Sequence, residues 1–290
     1  MAEAGENDRP SFRAACVQMR SGIDRARNVD AALALIATAA DGGARFIATP
    51  EMTTVVDRDA DRLLAALPEG EALPEVAAFA MAAAEHRAFL LIGSMAIKRG
   101  DGRLANRCFL FAPDGNIAAR YDKIHMFDVA LEDGGNWRES RIYAPGHELV
   151  VANTPLAAFG LSICYDLRFP KLFRALARAG AEAICVPAAF TRQTGQAHWK
   201  TLLRARAIEC GAFIVAPAQG GLHEDGRETF GHSLIISPWG DILTEATGDE
   251  PGVIFAEIDS NRVRSARQQI PSLSLEAPAL ETAVQVINCN

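Results

Sequence analysis

Residues 12–50 read FRAACVQMRSGIDRARNVDAALALIATAADGGARFIATP. Phe12 to Met19 is apolar enough for a strand buried on both faces. Ala26 to Ala40 places its apolar residues at helical spacing and meets Gly42-Gly43, a helix stop, before the strand-like run Arg45 to Thr49 closes on Pro50. One β-α-β unit results, and the alternation it starts continues along the chain. Helical patterns over Asp61 to Leu67 and Leu73 to Ala88 precede a strand over Phe89 to Met95, and Arg107 to Ala112 and Asn116 to Tyr121 flank Pro113-Asp114-Gly115 as a hairpin. Residues 128–147 lack periodicity and predict a long loop, a class often functional. Then come a strand (160–163), a helix (170–179), a strand (183–186), a helix (196–210), a strand (213–216), a hairpin about Pro238-Trp239-Gly240, a strand (253–258) and a helix near 261–269.

The pattern predicts an α/β fold with mostly buried strands, and each half has its own hairpin, which hints at two similar halves. Without a Pro/Ser-rich divider, residues 11–272 read as one domain, after a polar mobile arm (1–10) and before an apolar tail (273–290) suited to a subunit interface. The 290 residues are 49% apolar and 22% charged, enough to bury a large core and to exclude a disordered chain. No window approaches the roughly 18 consecutive apolar residues of a membrane span. Glu3, Glu6 and Asp8 stand where a secretory signal needs basic residues, so a cytoplasmic protein without a membrane partner is expected. The net charge of −7, with no basic stripe, argues against nucleic acid. Six cysteines without a C-x-x-C pair read as free thiols, and six histidines never form H-x-x-x-H or H-E-x-x-H. No phosphate-binding glycine motif is present, so neither a metal nor a cofactor is expected.

Three windows carry candidate chemistry. In Phe159-Gly-Leu-Ser-Ile-Cys164-Tyr-Asp-Leu-Arg168-Phe-Pro170, a cysteine ends a buried strand just ahead of a helix with Pro170 in its first turn. Helix amides and Arg168 would favour a thiolate there, although a free cysteine in a core has the same sequence appearance. Glu51, after the strand ending in Thr49-Pro50, suits a general base or, equally, an acid at a helix start. Lys123, in Arg120-Tyr-Asp-Lys123-Ile-His, is either a semi-buried lysine with an anionic partner or an ordinary strand-end lysine.

In this order the three windows resemble those of the nitrilase superfamily of carbon-nitrogen hydrolases, and the likeness runs from about residue 12 to about residue 272. Within it, AHWKTLLRARAIE (197–209) and GHSLIISPWG (231–240) are most similar to the branch holding the deaminated-glutathione amidases and omega-amidases. The resemblance implies a four-layer αββα sandwich, usually paired as a homodimer or higher homo-oligomer, with helices 170–179 and 196–210 suited to the interface. It implies a Glu51, Lys123, Cys164 triad, with Glu139 in Trp137-Arg-Glu139-Ser140 as an additional active-site glutamate orienting Lys123. Glu51 would take the thiol proton, the thiolate would attack an amide carbonyl, and a thioester would be hydrolysed with Glu51 activating water. Lys123 and the backbone N–H of Tyr165 would stabilise the oxyanion.

Arg168 would hold a substrate carboxylate, or else pair with Asp166, and Thr194, on the loop before Ala197-His198-Trp199, would hydrogen-bond the same ligand. Gln196, where the branch usually has proline, is a departure close to the expected pocket. His198, His232 and Trp199 read as structural. The implied partner is a small carboxylate-bearing amide of the deaminated-glutathione type, the alternatives being an omega-amidase or N-carbamoyl amino acid hydrolase substrate. A Cys-His thiol protease or a catalytically silent binding protein on the same fold are the competing classes.

Overall fold

The computed structural model describes residues 9–130 and 136–275, so most of the expected arm and tail lie outside the described residues. The first half runs β1 (Phe12–Gln18), α1 (Arg25–Asp41), β2 (Phe46–Ala48), α2 (Ala60–Ala66), α3 (Pro74–His86), β3 (Phe89–Lys98), β4 (Leu104–Phe111) and β5 (Ile117–Asp122). Two short strands follow, β6 (Asp128–Ala130) and β7 (Asn136–Arg138), then a 3-10 turn (Glu139–Arg141). The second half runs β8 (Val151–Asn153), β9 (Ala158–Leu161), a 3-10 turn (Cys164–Arg168), α4 (Pro170–Arg178), β10 (Ala183–Cys185), α5 (Arg192–Cys210) and β11 (Phe213–Ala216). It closes with β12 (Gly220–Leu222), β13 (Glu228–Phe230), β14 (Leu234–Ile236), β15 (Ile242–Glu245), β16 (Gly252–Ile258) and α6 (Ser260–Gln269).

Two six-stranded sheets have the orders β16-β1-β2-β3-β4-β5 and β15-β14-β11-β10-β9-β8. Each has a parallel centre, β1-β2-β3 and β9-β10-β11, extended by antiparallel strands at its edges. The two halves hinted at by the sequence therefore share one topology. The sheets pack face to face, and alternation along the strands sorts the side chains into layers. Phe12, Ala14 and Cys16 of β1 join Phe46, Leu91, Phe159, Leu161 and Cys185 between the sheets. Ala15 and Val17 point the other way, onto Ile36 of α1 and Phe79 of α3. On the far side α4 and α5 bury Leu172, Phe173, Leu176, Trp199 and Leu203 in the same core as the second sheet. The architecture is the four-layer αββα sandwich. Helix α5, one of the two helices suggested for a subunit interface, leaves Ile208 51% exposed. Among the described residues no helix is long and apolar enough to cross a membrane.

The differences from expectation are local. Residues 128–147 hold the β6/β7 pair and a 3-10 turn instead of an unstructured loop. Helix α5 starts four positions early, at Arg192, so Thr194 is in its first turn and not on a preceding loop. Strands β8, β12 and β13 are three residues each, too short to impose a period on the sequence.

Close approach of the sheets beside the ends of β2 and β10 depends on Gly93, where the β3–β4 register shifts. A Cβ there would lie 2.2 Å from the Thr49 carbonyl oxygen and 2.4 Å from Pro187 Cβ. Gly93→Ala is expected to lower the unfolding free energy by about 1–3 kcal/mol through overpacking, read from the urea midpoint. A loss below about 0.5 kcal/mol would show that the sheets separate there without cost.

Candidate active site

Glu51 and Cys164 each lie three residues beyond a strand of their sheet's parallel centre, β2 and β9. The turn carrying Glu51 is gripped by the irregular part of β3. Gly93 N–H donates to Thr49 Oγ1 (3.2 Å), Ser94 N–H to the Pro50 carbonyl (3.3 Å), and Met52 N–H to Ser94 Oγ (2.8 Å). From the second half, Gln219 Nε2 donates to the carbonyls of Glu51 (3.1 Å) and Met52 (3.2 Å). Met52 itself has φ 56°, so the chain turns sharply just after the carboxylate.

Cys164 also lies in the left-handed region, at φ 49°. A side chain other than glycine costs about 1–3 kcal/mol there. Its N–H donates to the Pro187 carbonyl (2.9 Å), and Asp166 clamps the turn from inside. Asp166 Oδ2 accepts from Tyr121 Oη (2.7 Å) and Ile163 N–H (2.9 Å), while Oδ1 lies 2.7 Å from His125 Nδ1 and accepts from His125 N–H (3.0 Å). The cysteine turn is thereby tied to the segment carrying Lys123. Lys123 follows β5 and is fixed by backbone bonds, its N–H to the Asn106 carbonyl (3.0 Å) and its carbonyl from Gly146 N–H (2.8 Å).

The three side chains meet in a buried cluster: Glu51 and Lys123 are each 2% exposed and Cys164 7%. Lys123 Nζ donates to Glu51 Oε1 (2.8 Å) and to both oxygens of Glu139 (3.0 and 2.9 Å). Asn106 Nδ2 bridges the same carboxylates, at 2.9 Å from Glu51 Oε1 and 3.1 Å from Glu139 Oε1. Ala189 N–H, beyond the end of β10, donates to Glu51 Oε2 (2.9 Å), and Phe127 N–H to Glu139 Oε2 (2.7 Å).

Burial alone would raise the Glu51 carboxyl. The Lys123 charge and hydrogen bond, the Cys164 thiol and Asn106 together hold it below its ordinary value. Burial would likewise strip Lys123 of its proton, but Glu139 and Glu51 keep it charged and push its pKa well up. Burial, then the Glu51 charge, push the Cys164 thiol well up, with Lys123 opposing. The resting site is therefore carboxylate, ammonium and neutral thiol. This corrects the expectation of a thiolate favoured by helix amides: α4 begins at Pro170, a 3-10 turn intervenes, and burial beside Glu51 outweighs the cation. A base touching a neutral thiol and a fixed ammonium can create a nucleophile on demand and meet a developing oxyanion.

The cluster forms the floor of a cavity of about 640 Å³ whose walls include Phe127, Trp137, Tyr165, Phe190 and Thr194. Tyr165 and Thr194 line it as expected. Arg168 does not; its guanidinium lies over the rings of Tyr165 (5.9 Å) and Phe190 (5.4 Å), with both terminal nitrogens 3.4 Å from His198 Nδ1. The alternative pairing of Arg168 with Asp166 is displaced by Tyr121, His125 and Ile163, which occupy that carboxylate. Gln196 is exposed on α5 and does not line the cavity. Trp199 is buried with Nε1 donating to the His232 carbonyl (2.9 Å), and His232 Nδ1 lies 3.0 Å from Glu245 Oε1, both structural.

Sequence reasoning missed Asn106, Ala189 N–H and Gln219. A lone amide within the apolar strand Leu104–Phe111 was the available signal for Asn106, since a buried amide demands partners. A backbone amide such as that of Ala189 leaves no mark in a sequence.

Comparison with known proteins agrees with the geometry. The carbon-nitrogen hydrolase family profile matches residues 13–268. A deaminated glutathione amidase of Synechocystis is 39% identical over 266 residues, covering 90% of this chain and 97% of the relative. The human omega-amidase NIT2 is 32% identical over 267 residues, covering 90% and 93%. Among solved structures, the Caenorhabditis elegans NitFhit protein superposes with a TM-score of 0.86 at 32% identity, covering 94% of this chain and 66% of that one. Nit3 of Saccharomyces cerevisiae, of the nitrilase superfamily, gives 0.83 at 26%, covering 96% and 100%. The chain belongs to the carbon-nitrogen hydrolase family. It is an amidase, hydrolysing amide C–N bonds.

The charge balance is directly testable. Glu51 raises the thiol pKa and Lys123 lowers it, so Glu51→Gln removes a raising influence and leaves a lowering one. The ultraviolet thiolate absorbance of Cys164, taken as the difference from Cys164→Ala in each background, is expected to appear at lower pH in Glu51→Gln than in wild type. Appearance at the same or higher pH would contradict the assignment.

Proposed function

We propose that Glu51, Lys123 and Cys164, with Glu139 orienting Lys123, form the catalytic centre, and that the substrate is a small carboxylate-bearing 2-oxo acid amide of the deaminated-glutathione type. The observation that carries the catalytic reading is the bridging of Glu51 and Glu139 by one buried ammonium while the same Glu51 contacts the Cys164 thiol.

Glu51 takes the thiol proton as sulfur attacks the amide carbonyl. The oxyanion of the tetrahedral adduct falls to Lys123 and the backbone N–H of Tyr165. Collapse breaks the C–N bond, and Glu51 returns the proton to the departing amine, leaving a thioester on Cys164. Glu51 then draws a proton from water, hydroxide adds to the thioester, and the thiol leaves with that proton, releasing the carboxylic acid. Because Glu51 is held ionised and the thiol neutral, the proton starts where the first step needs it.

The substrate class has support from the higher identity to the Synechocystis deaminated glutathione amidase (39%) than to human omega-amidase NIT2 (32%). Thr194 and Tyr165 on the cavity wall are the proposed contacts of the 2-oxo acid end, with Arg168 stacked behind Tyr165 and Phe190 as their support.

Acid release is to be measured with deaminated glutathione, 2-oxoglutaramate and an N-carbamoyl amino acid. Wild type is expected to favour the first. Cys164→Ala and Glu51→Gln should each lose at least about ten-thousand-fold in kcat. Lys123→Gln should lose at least about 100-fold, as for a lost oxyanion donor. Turnover surviving in Cys164→Ala would overturn the catalytic reading; preference for 2-oxoglutaramate or the carbamoyl compound would overturn the substrate reading alone.

A further inference from the structure

The cavity holds more positive charge than the catalytic cluster uses. Besides Lys123, its walls carry Arg58, Arg138, Arg141 and Arg227 against Glu51, Asp57 and Glu139. Glu51 and Glu139 are engaged by Lys123. Asp57 is taken by a two-pronged pair from Arg62, at 2.7 and 2.6 Å. No ion pair joins Arg58 or Arg141 to a carboxylate among the described residues.

Two of these arginines share one support. The guanidinium carbon of Arg58 lies 4.8 Å from the Trp137 ring centroid, and that of Arg227 lies 5.0 Å from the same centroid. Stacking on an indole orients a guanidinium without using its N–H groups, and of those of Arg227 only Nη1 makes a hydrogen bond among the described residues, to the Met52 sulfur (3.5 Å). Arg227 is the more committed of the two. Its side chain is 11% exposed, and its nearest carboxylate oxygen, Asp225 Oδ2, is 3.4 Å away and makes no hydrogen bond. Its Nε is buried with no hydrogen-bond partner. A buried charged donor left unsatisfied is costly in the empty protein and is relieved if a ligand oxygen arrives.

The size of the cavity points the same way. About 640 Å³ falls in the middle of the roughly 300–1,000 Å³ range of pockets that enclose drug-sized ligands, far more than a five-carbon 2-oxo acid amide fills. The remaining space has room for a substantial departing amine.

We propose that Arg58 and Arg227, stacked on Trp137, form a second anion subsite that takes a terminal carboxylate carried by the departing amine of the substrate. The subsite rests on the substrate reading above and deepens it: the 2-oxo acid is held at one place, and the carboxyl terminus of a dipeptide-sized amine at another. A substrate whose leaving group is ammonia engages the first alone. The enzyme would then select long amides by charge at the far end, because an uncharged end leaves the Arg58 guanidinium without a carboxylate and Arg227 Nε unsatisfied.

The test compares deaminated glutathione with its C-terminal carboxamide, identical but for the charge. In the Cys164→Ala protein, calorimetry is expected to show the carboxylate bound about 10- to 100-fold more tightly. Adding Arg227→Gln or Arg58→Gln should shrink that preference to within about threefold, and Arg227→Lys should restore part of it. Arg58 is exposed, so its variant carries the test even where Arg227→Gln fails to fold. Equal affinity for the two compounds with both arginines present, or a preference that survives in the glutamine variants, would overturn the subsite. Wild type that hydrolyses 2-oxoglutaramate but not deaminated glutathione would overturn the substrate reading and the subsite with it, whereas hydrolysis of both without a carboxylate preference overturns the subsite alone.

Discussion

Lys123 is an ammonium with 2% of its surface exposed, placed between two carboxylates at hydrogen-bond distance. Taking such a charge out of water costs several kcal/mol, and a buried pair recovers this only with good geometry and with its remaining polar atoms satisfied. Here they are satisfied from all sides. Asn106 serves both carboxylates, Ala189 N–H and Phe127 N–H complete their outer oxygens, and the lysine backbone is bonded to Asn106 and Gly146. The consequence is chemical as well as structural. With the cation fixed, Glu51 remains ionised in a buried site, and with Glu51 ionised beside it, the Cys164 thiol keeps its proton.

The fold supplies this arrangement by making the two halves alike and turning their sheets face to face. The carboxyl ends of parallel strands β2, β9 and β10, where open α/β sheets gather ligands, deliver Glu51, Cys164 and Ala189 N–H to one place. Strain is concentrated in the same place. Met52 and Cys164 both sit in the left-handed region, each held by hydrogen bonds from a different element. The Asp166 contacts to Tyr121 and His125 join the cysteine turn to the Lys123 segment, so neither can move alone.

The layers, and the three side chains that meet in the buried cluster, were legible in the sequence for a physical reason. Buried parallel strands are continuous apolar runs, helices facing a sheet show a 3.6 period, and both signals are strong over Phe12–Gln18 and Arg25–Asp41. Glu51 and Cys164 were visible because each follows an apolar strand, Lys123 because it follows a strand, and their order resembles one family. Three-residue strands such as β8 and β12 impose no period, so they were invisible. Thr194 was misplaced onto a loop because Thr191 to Gly195 reads as turn-forming, whereas Gly195 is packed against Phe230 within the first turn of α5. The direction of the Cys164 pKa was missed because a helix terminus and a nearby arginine are written in the sequence, while burial and the Glu51 contact arise only on folding.

The most direct test of the central claim is the protonation state of the resting nucleophile, read as the sulfhydryl stretch in the infrared difference between wild type and Cys164→Ala at neutral pH. A neutral thiol held beside an ionised Glu51 predicts an S–H band in that difference, shifted by its hydrogen bond to the carboxylate. Absence of the band, with thiolate absorbance in its place, would mean that the proton has already left the sulfur and would contradict the account.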